Sequence, residues 1–226
     1  MSQPPWRDLG FLTPDAPECQ RDVWALLARL AGHLASALDE LALRTAEPTW
    51  EATLREHAVR ARELRVLLDE EAGPAALERV AQDEALREFE GPLGEVLASG
   101  HVPSLIATAY ATLGELGALP ARLVADVAGA YARPIAARVA ASEAHRPLGR
   151  LFGMLDLAPP DREAVRRLLR HLDARLFATY ATWRQTFHVL GVDGETLEQE
   201  ARATVKAARE VLGLKATPQD LAALRG

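Results

Sequence analysis

Residues 49–68 read TWEATLREHAVRARELRVLL, and this stretch determines how the rest of the chain is interpreted. Its apolar residues recur every three or four positions, which is the spacing of one face of an α-helix. One histidine shares that face, whose members are Trp50, Leu54, His57, Ala61, Leu64 and Leu68. A second segment repeats the arrangement with Ile135, Val139, Ser142 and His145. The two patterns together predict a helical bundle with a polar site in its interior.

The same helical spacing continues along the whole chain, so the fold class that we predict is all-α. Proline and glycine positions divide the chain into helices at 18–45, 49–71, 75–99, 103–131, 134–157, 161–190 and 195–212, with a short final turn at 217–224. We expect a break at Gly91-Pro92 and a bend at Pro147, because proline interrupts a helix interior. No segment alternates with period two, so no β-sheet is expected.

The distribution of proline also indicates the domain organisation. Residues 1–17 carry prolines at 4, 5, 14 and 17, and we expect them to form an irregular N-terminal arm. Residues 18–226 are predicted to form a single helical bundle domain. With 226 residues, 49% of them hydrophobic, the chain can bury a substantial core.

Composition and charge exclude several classes of partner. The formal net charge is −6 and no basic block stands out, so we do not expect nucleic acid as a partner. The single cysteine, Cys19, excludes an intrachain disulfide, which agrees with a reducing compartment. No N-terminal apolar run resembles a signal peptide, and no stretch of about 18 uncharged residues occurs, so we expect a cytoplasmic protein without a membrane span.

The stretch YARPIAARVAASEAHRPLGRLF at residues 131–152 resembles the fourth bundle helix of ferritin-like di-iron proteins. In the ribonucleotide-reductase small subunit and the phenylacetyl-CoA oxygenase relatives, a helix that begins at a proline carries Glu-x-x-His, then a glycine and a basic residue. Here His145, Gly149 and Arg150 align with that pattern. Residues 49–71 resemble the second helix of the same family. The resemblance covers about residues 18 to 157 and implies a ferritin-like helical bundle with additional C-terminal helices.

The resemblance implies that part of the family's metal site is missing. The histidines of the two motifs are kept as His57 and His145. The glutamate positions, three residues before each histidine, are occupied by Leu54 and Ser142. A bundle that binds two metals needs these carboxylates beside the imidazoles. The degenerate motifs therefore predict that a complete di-iron site is absent.

The family also takes one carboxylate from its first helix and one from its third, and the nearest acids here are Asp22 and Glu115. Asp22 lies on the flank of its helix stripe. Glu115 falls roughly opposite Ile106 and Leu113 unless Pro120 resets the helical phase. A di-iron site needs about four carboxylates and two histidines, so the available residues could hold at most one ion, iron or manganese. The candidate metal ligands are His57, His145, Glu115 and Asp22.

Three classes of function remain open. The preferred hypothesis is a ferritin-like bundle protein without a complete di-iron site and without a cofactor, which has a structural role or binds a protein partner, a second copy of itself or an apolar small molecule. The alternative is a metal-dependent oxidoreductase or oxygenase-like enzyme with a reduced or unrecognised metal site. The third is an unrelated histidine-containing helical bundle, such as a thiol-transferase-like bundle with a histidine site or the ligand-binding part of a regulator.

Overall fold

The computed structural model describes residues 16–127, 135, 138–139, 142 and 144–224, and this part of the chain contains helices and no strand. The helices are α1 (Ala16–Arg44), α2 (Pro48–Gln82), α3 (Glu84–Ser99), α4 (Val102–Ala107), a π-helical segment (Thr108–Leu116), α5 (Leu119–Val127), α6 (Arg146–Gly153), α7 (Pro159–Thr182), α8 (Arg184–Val189), α9 (Gly194–Val211) and α10 (Pro218–Ala222). The all-α prediction is confirmed. The predicted arm at 1–17 lies outside the described residues except for positions 16 and 17, which begin α1.

Helices α1 and α2 pack against each other as an antiparallel pair. Ion pairs join the start of α1 to the end of α2, with Arg79 2.5 Å from Asp22, and the end of α1 to the middle of α2, with Arg62 2.7 Å from Asp39. The predicted α1 stripe is buried, each member being at most 6% exposed: Val23, Leu27, Leu30, Leu34, Leu38 and Leu41. Burial of this stripe is the main stabilising contribution of the pair.

The predicted boundaries between the second and third helices are only partly correct. Gly73 adopts φ 75° and ψ 164°, so the predicted end there is a kink after which α2 continues to Gln82. The true break is at Asp83, whose carboxylate caps α3 by accepting a hydrogen bond from the backbone N–H of Leu86 at 2.7 Å.

The predicted break at Gly91-Pro92 is wrong, because α3 runs through it from Glu84 to Ser99. A proline in a helix removes the donor to the carbonyl four residues earlier, which here belongs to Glu88. That carbonyl accepts a hydrogen bond from Arg175 Nη1 of α7 at 3.2 Å. A neighbouring helix therefore supplies the donor that Pro92 lacks.

The predicted helix at 103–131 changes its hydrogen-bonding pattern in the middle. Between α4 and α5 the chain forms the π-helical segment, at whose end the N–H of Gly117 donates to the carbonyl of Thr112, five residues earlier, at 2.9 Å. This segment packs against α1, α4, α6, α7 and α9 and is the centre of the bundle. Within the described residues, Val102–Ala125 is apolar and long enough to cross a membrane, and 72% of its most apolar window is buried inside the bundle.

The predicted continuous helix at 134–157 is also wrong. Ile135 and Val139 are helical, but Ser142 is in no helix, and α6 begins anew at Arg146. Pro147 therefore lies in the first turn of α6 and does not bend a longer helix. A proline is tolerated in a first turn because the N–H that it lacks has no helical acceptor there.

The C-terminal helices α7 and α9 also pack against the π segment. The predicted helix at 161–190 is divided at Trp183, whose indole Nε1 donates to Asp83 Oδ2 at 2.8 Å, and the parts are α7 and α8. The predicted helix at 195–212 and the final turn are present as α9 and α10. A buried ion pair between Asp173 of α7 and Arg209 of α9 joins these helices, and Thr112 of the π segment donates to the same aspartate at 2.7 Å.

Candidate functional site

A cavity of about 630 Å³ opens between α2, the π segment and α6. Its lining combines a few aromatic and apolar surfaces with several groups that carry charge or can titrate. Its lining residues include Trp50, His57 and Arg60 from α2, Tyr110 and Glu115 from the π segment, and Arg146, Pro147 and Arg150 from α6. Small-molecule sites are typically concave, mainly apolar, and contain a few convergent polar groups. This cavity is therefore the candidate functional site.

Glu115 lies on the π segment and lines this cavity. The sequence predicts that Glu115 lies opposite Ile106 and Leu113 unless Pro120 resets the helical phase, and in the structure Ile106 and Leu113 are buried in the core whereas Glu115 lines the cavity. Arg122 of α5 holds the turn in place, since its Nη2 donates to the backbone carbonyl of Glu115 and to Thr204 Oγ1 of α9, both at 3.0 Å. π turns of this kind occur frequently at functional sites.

The carboxylate of Glu115 has a histidine and an arginine as partners. His145 Nε2 donates to Glu115 Oε1 at 2.9 Å, and Arg122 Nη1 lies 3.2 Å from Glu115 Oε2. The hydrogen bond from His145 is the largest influence on Glu115 and, together with the charge of Arg122, outweighs burial and lowers the pKa of the carboxyl. Glu115 is therefore an ionised, hydrogen-bonded carboxylate at neutral pH.

His145 is fixed in its position by the surfaces around it. It is 8% exposed and lies at the N-cap of α6, with its ring tilted at 56° to that of Tyr110 and the ring centres 5.7 Å apart. On its other side is the backbone of Gly114, where an added Cβ would lie 2.2 Å from His145 Cγ. Glycine at 114 is the residue that leaves room for this imidazole.

His57 lies at the floor of the cavity, on the regular part of α2. Its Nδ1 is buried and has no hydrogen-bond partner among the described residues. Burial is the main cause that lowers the pKa of His57, and the nearby charges of Arg60 and His145 act in the same direction, against a backbone hydrogen bond at Ala144. His57 is therefore a neutral imidazole at pH 7, close enough to His145 for the two rings to interact electrostatically.

The structure brings together three of the four residues that the sequence proposed as metal ligands. His57, His145 and Glu115 share one end of the bundle. Asp22 lies elsewhere, ion-paired with Arg79, which is about six helical turns, or about 30 Å, beyond His57 along α2. Burial raises the pKa of Asp22 although Arg79 acts to lower it. Asp22 thus belongs to the α1–α2 interface.

The three candidate ligands do not lie at metal-binding distances from one another in this structure. Across the part of the chain that the structure describes, no three His, Cys, Asp or Glu side chains lie close enough together to hold an ion as they stand. Leu54, one turn before His57, is 1% exposed and packs in the core. Ser142 is half-buried, and its segment also lines a small space beside His145.

Several residues of the cavity were missed by sequence reasoning. Arg60 belongs to a run of charges that reads as a solvated helix face, yet it lines the mouth. Arg146 and Arg150 stand four positions apart, a spacing that places both on one face of α6. The spacing of these two arginines around Gly149 was the sequence signal that could have indicated them. Gly149 lies close to Tyr110, because an added Cβ at this position would be 3.2 Å from the tyrosine ring.

No protein-family model matches this chain, and no curated protein sequence matches it either. Among solved structures, it is similar to a protein described as "Protein 19 with aldehyde deformylating oxidase activity" from Synechococcus. The TM-score is 0.74 at 16% sequence identity, and the match covers 90% of this chain and 94% of that one. This likeness establishes the fold as a ferritin-like helical bundle, as the sequence predicted.

Proposed function

We propose that this ferritin-like bundle is a metal-dependent oxidoreductase whose site holds a single iron or manganese ion at His57, His145 and Glu115. The observation that carries the proposal is that His57 and Glu115 line one cavity and that His145 is hydrogen-bonded to Glu115 at 2.9 Å, so two imidazoles and one carboxylate share one end of the bundle. Two imidazoles and one carboxylate are the donor set of mononuclear non-haem iron oxygenases. The proposal selects the enzyme alternative over the non-catalytic hypothesis.

The fold neighbour supports an oxidase more than a purely structural role. The Synechococcus protein is described as having aldehyde deformylating oxidase activity, and its chain is matched over 94% of its length. At 16% identity the substrate of that protein does not transfer to this chain. We therefore extend to this chain only the reaction class, which is an oxidation.

The protonation states of the candidate ligands suit a metal. Metals bind neutral imidazole and ionised carboxylate, which are the forms favoured for His57 and Glu115 by their lowered pKa values. His57 Nδ1 is a buried nitrogen with no partner among the described residues, so binding an ion would satisfy it. A metal ion bound at His145 Nε2 would also take the place of the proton that this nitrogen donates to Glu115. Coordination by all three residues would require His57 to move closer to His145 and Glu115.

A single ion fits this chain better than two. The carboxylates that a second ion requires are replaced by Leu54, which is buried in the core, and by Ser142. A leucine offers no ligand, and a serine hydroxyl is a poor substitute for an anionic oxygen. We infer that the site is a reduced form of the di-iron arrangement, in which one metal position is lost.

When bound, the ion would supply the redox or Lewis-acid chemistry of the reaction. The residues of the chain position the ligand and control protons. Burial and the neighbouring Glu115 carboxylate raise the pKa of Tyr110, so its phenol stays protonated and is a hydrogen-bond donor beside Glu115. Arg122 keeps Glu115 in place, because it holds both the backbone carbonyl and the carboxylate of that residue.

Metal analysis of protein purified without chelator tests the proposal. We expect about one equivalent of iron or manganese per chain. His57→Gln should lose most of it, whereas His188→Gln, at an exposed position of α8, should retain it. A metal-free wild type that also fails to bind added Fe²⁺ or Mn²⁺ would contradict the proposal and favour a non-catalytic bundle. Two equivalents would contradict the single-ion site.

A further inference from the structure

We infer that the cavity binds an amphipathic monocarboxylate, with its carboxylate at Arg150 and its apolar body between Trp50 and Tyr110. This inference deepens the proposed function, because it names the ligand class of the same site. It rests on the proposed function only for the chemistry that follows binding. The binding itself depends on the charge at the mouth and on the apolar walls.

The mouth of the cavity carries an excess of positive charge. Its exposed arginines, Arg60 from α2 and Arg146 and Arg150 from α6, approach from two helices. Among the described residues that line the cavity, Glu115 is the one acid, and it is in contact with His145 and Arg122. The mouth therefore attracts anionic ligands.

The three arginines of the mouth differ in whether another group of the protein already interacts with them. Arg60 forms an ion pair with Glu56 one turn earlier, at 2.5 Å, and Arg146 also has an interaction partner. Arg150 makes no ion pair with any described residue. A planar guanidinium matches a carboxylate through two parallel hydrogen bonds. One uncommitted positive charge suits a monoanion better than a phosphate dianion.

The interior of the cavity is suited to an apolar body. Tyr110 is 6% exposed and the half-buried Trp50 and Pro147 complete an apolar wall between the mouth and the floor. The volume of about 630 Å³ is within the range of sites for small organic ligands. A carboxylate held at Arg150 would thus direct the far end of its chain toward His57 and Glu115.

Calorimetric titration of the metal-free, full-length protein with sodium octanoate and with octanamide tests this inference. The two probes have nearly the same shape and differ in charge. We expect octanoate to bind at least about tenfold more tightly than octanamide, because a charge-assisted hydrogen bond is stronger than a neutral one. The advantage should shrink at about 0.5 M salt, since the mouth is exposed to solvent.

Substitution separates a specific contact from a general effect of charge. Arg150→Gln should weaken octanoate binding by about tenfold and leave octanamide binding unchanged. Arg167→Gln, at an exposed position of α7 that does not line the cavity, makes the same change in net charge and should have little effect. Trp50→Ala should weaken both probes. Thermal unfolding of each variant verifies that it is folded.

Several results would overturn the inference. These are no octanoate binding by the wild type, equal affinity for octanoate and octanamide, or equal effects of Arg150→Gln and Arg167→Gln. Octyl phosphate that binds about tenfold more tightly than octanoate would overturn the assignment to a monocarboxylate. The proposed function is tested separately from this inference. If the protein binds octanoate selectively but binds no metal, the proposed metal-dependent enzyme is contradicted. If it binds metal without preferring octanoate to octanamide, only the proposed ligand class is contradicted.

Discussion

The α1–α2 pair and the segment from Val102 to Gly153 are both built from apolar helices, but they differ in regularity. In the pair, one helical repeat holds over the whole of α1, and every member of the predicted stripe is buried, although residues 23–28 are buried all round the helix. In the other segment the chain passes from α to π and back to α helix, and later starts a new helix at Arg146. The candidate site lies where the regular part, which supplies His57, meets the irregular part, which supplies Glu115 and His145.

Two carboxylates illustrate the difference. Glu90 on α3 and Glu115 on the π segment each accept hydrogen bonds from one histidine and pair with one arginine. Glu90 joins α3 to the regular helix α1 through Arg29 and His33, and so stabilises an interface. Glu115 uses its partners at the edge of a cavity that also contains His57. The same set of partners thus surrounds a carboxylate at a helix interface in one case and a carboxylate beside a cavity in the other.

The largest expected effect concerns the contacts that hold the π segment in the bundle. Asp173→Ala removes the partner of the fully buried Arg209 and the acceptor of Thr112. A buried charge that loses its partner typically costs about 3–5 kcal/mol of stability. We expect a loss of that size in the free energy of unfolding, measured by urea denaturation with circular dichroism.

The control for this prediction is Glu200→Ala, at an exposed position of α9. It removes the same charge and should change the free energy of unfolding by less than about 0.5 kcal/mol. If Asp173→Ala is as mild as this control, the buried ion pair does not support the π segment.

A smaller effect is expected from a matched pair of glycine substitutions. Gly114→Ala places a methyl group against the His145 ring, and overpacking of this kind costs about 1–3 kcal/mol. Gly94→Ala, inside α3, meets no atom within 4 Å, so it should stabilise the protein by up to about 1 kcal/mol. Thermal and urea unfolding of both variants measure the difference. Equal behaviour of the two variants would show that His145 is not held against Gly114.

The sequence predicted the regular half of the molecule and missed most of the irregular half. Apolar spacing identified the buried face of α1 and placed His57 at the edge of the core, because both lie on uninterrupted α-helix. The same reasoning placed Glu115 opposite the buried Ile106 and Leu113, but it gave no sign of the π turn on which Glu115 lies, because a π turn leaves no mark in the apolar spacing. Asp22 was placed by its distance along the chain, but the antiparallel pairing with α2 puts it opposite Arg79.

The tertiary contacts that allow the irregular turn could not be read from the sequence. Thr112 meets Asp173 and Arg122 meets Thr204 across long separations in the chain. Likewise Pro92 is accommodated inside a helix only because Arg175 of another helix donates to the free carbonyl. Each of these contacts depends on which helices pack next to each other, and the local sequence pattern of a helix does not specify its neighbours.

A last expected effect is on the pH dependence of stability, and it compares the two carboxylates directly. Burial acts to raise the pKa of Glu90, but hydrogen bonds from Arg29 and His33 lower it from 4.5 to about 2. Its stabilisation is therefore present above pH 4.5 and is lost as the pH falls toward 2. Glu90→Gln should lower the free energy of unfolding at pH 7 by about 1–3 kcal/mol, and this deficit should shrink in acid.

Glu115 has the same sign of dependence, since its pKa is also lowered, and Glu115→Gln should show a smaller deficit at pH 7 that likewise shrinks in acid. The side chain of Glu115 is 24% exposed against 14% for Glu90, so solvent screens its ion pairs more. Urea denaturation of both variants between neutral and acidic pH measures the two deficits. A deficit that grows as the pH falls would contradict the assigned pKa directions.

The central claim is that the regular and irregular halves together form a site for one metal ion. Anaerobic calorimetric titration of metal-free protein with Fe²⁺ tests it most directly, with wild type, Glu115→Gln and the matched variant Glu90→Gln side by side. We expect about one ion per chain in the wild type and in Glu90→Gln, and at least about tenfold weaker binding in Glu115→Gln. Binding that is absent from the wild type, or equal in all three proteins, would contradict the account.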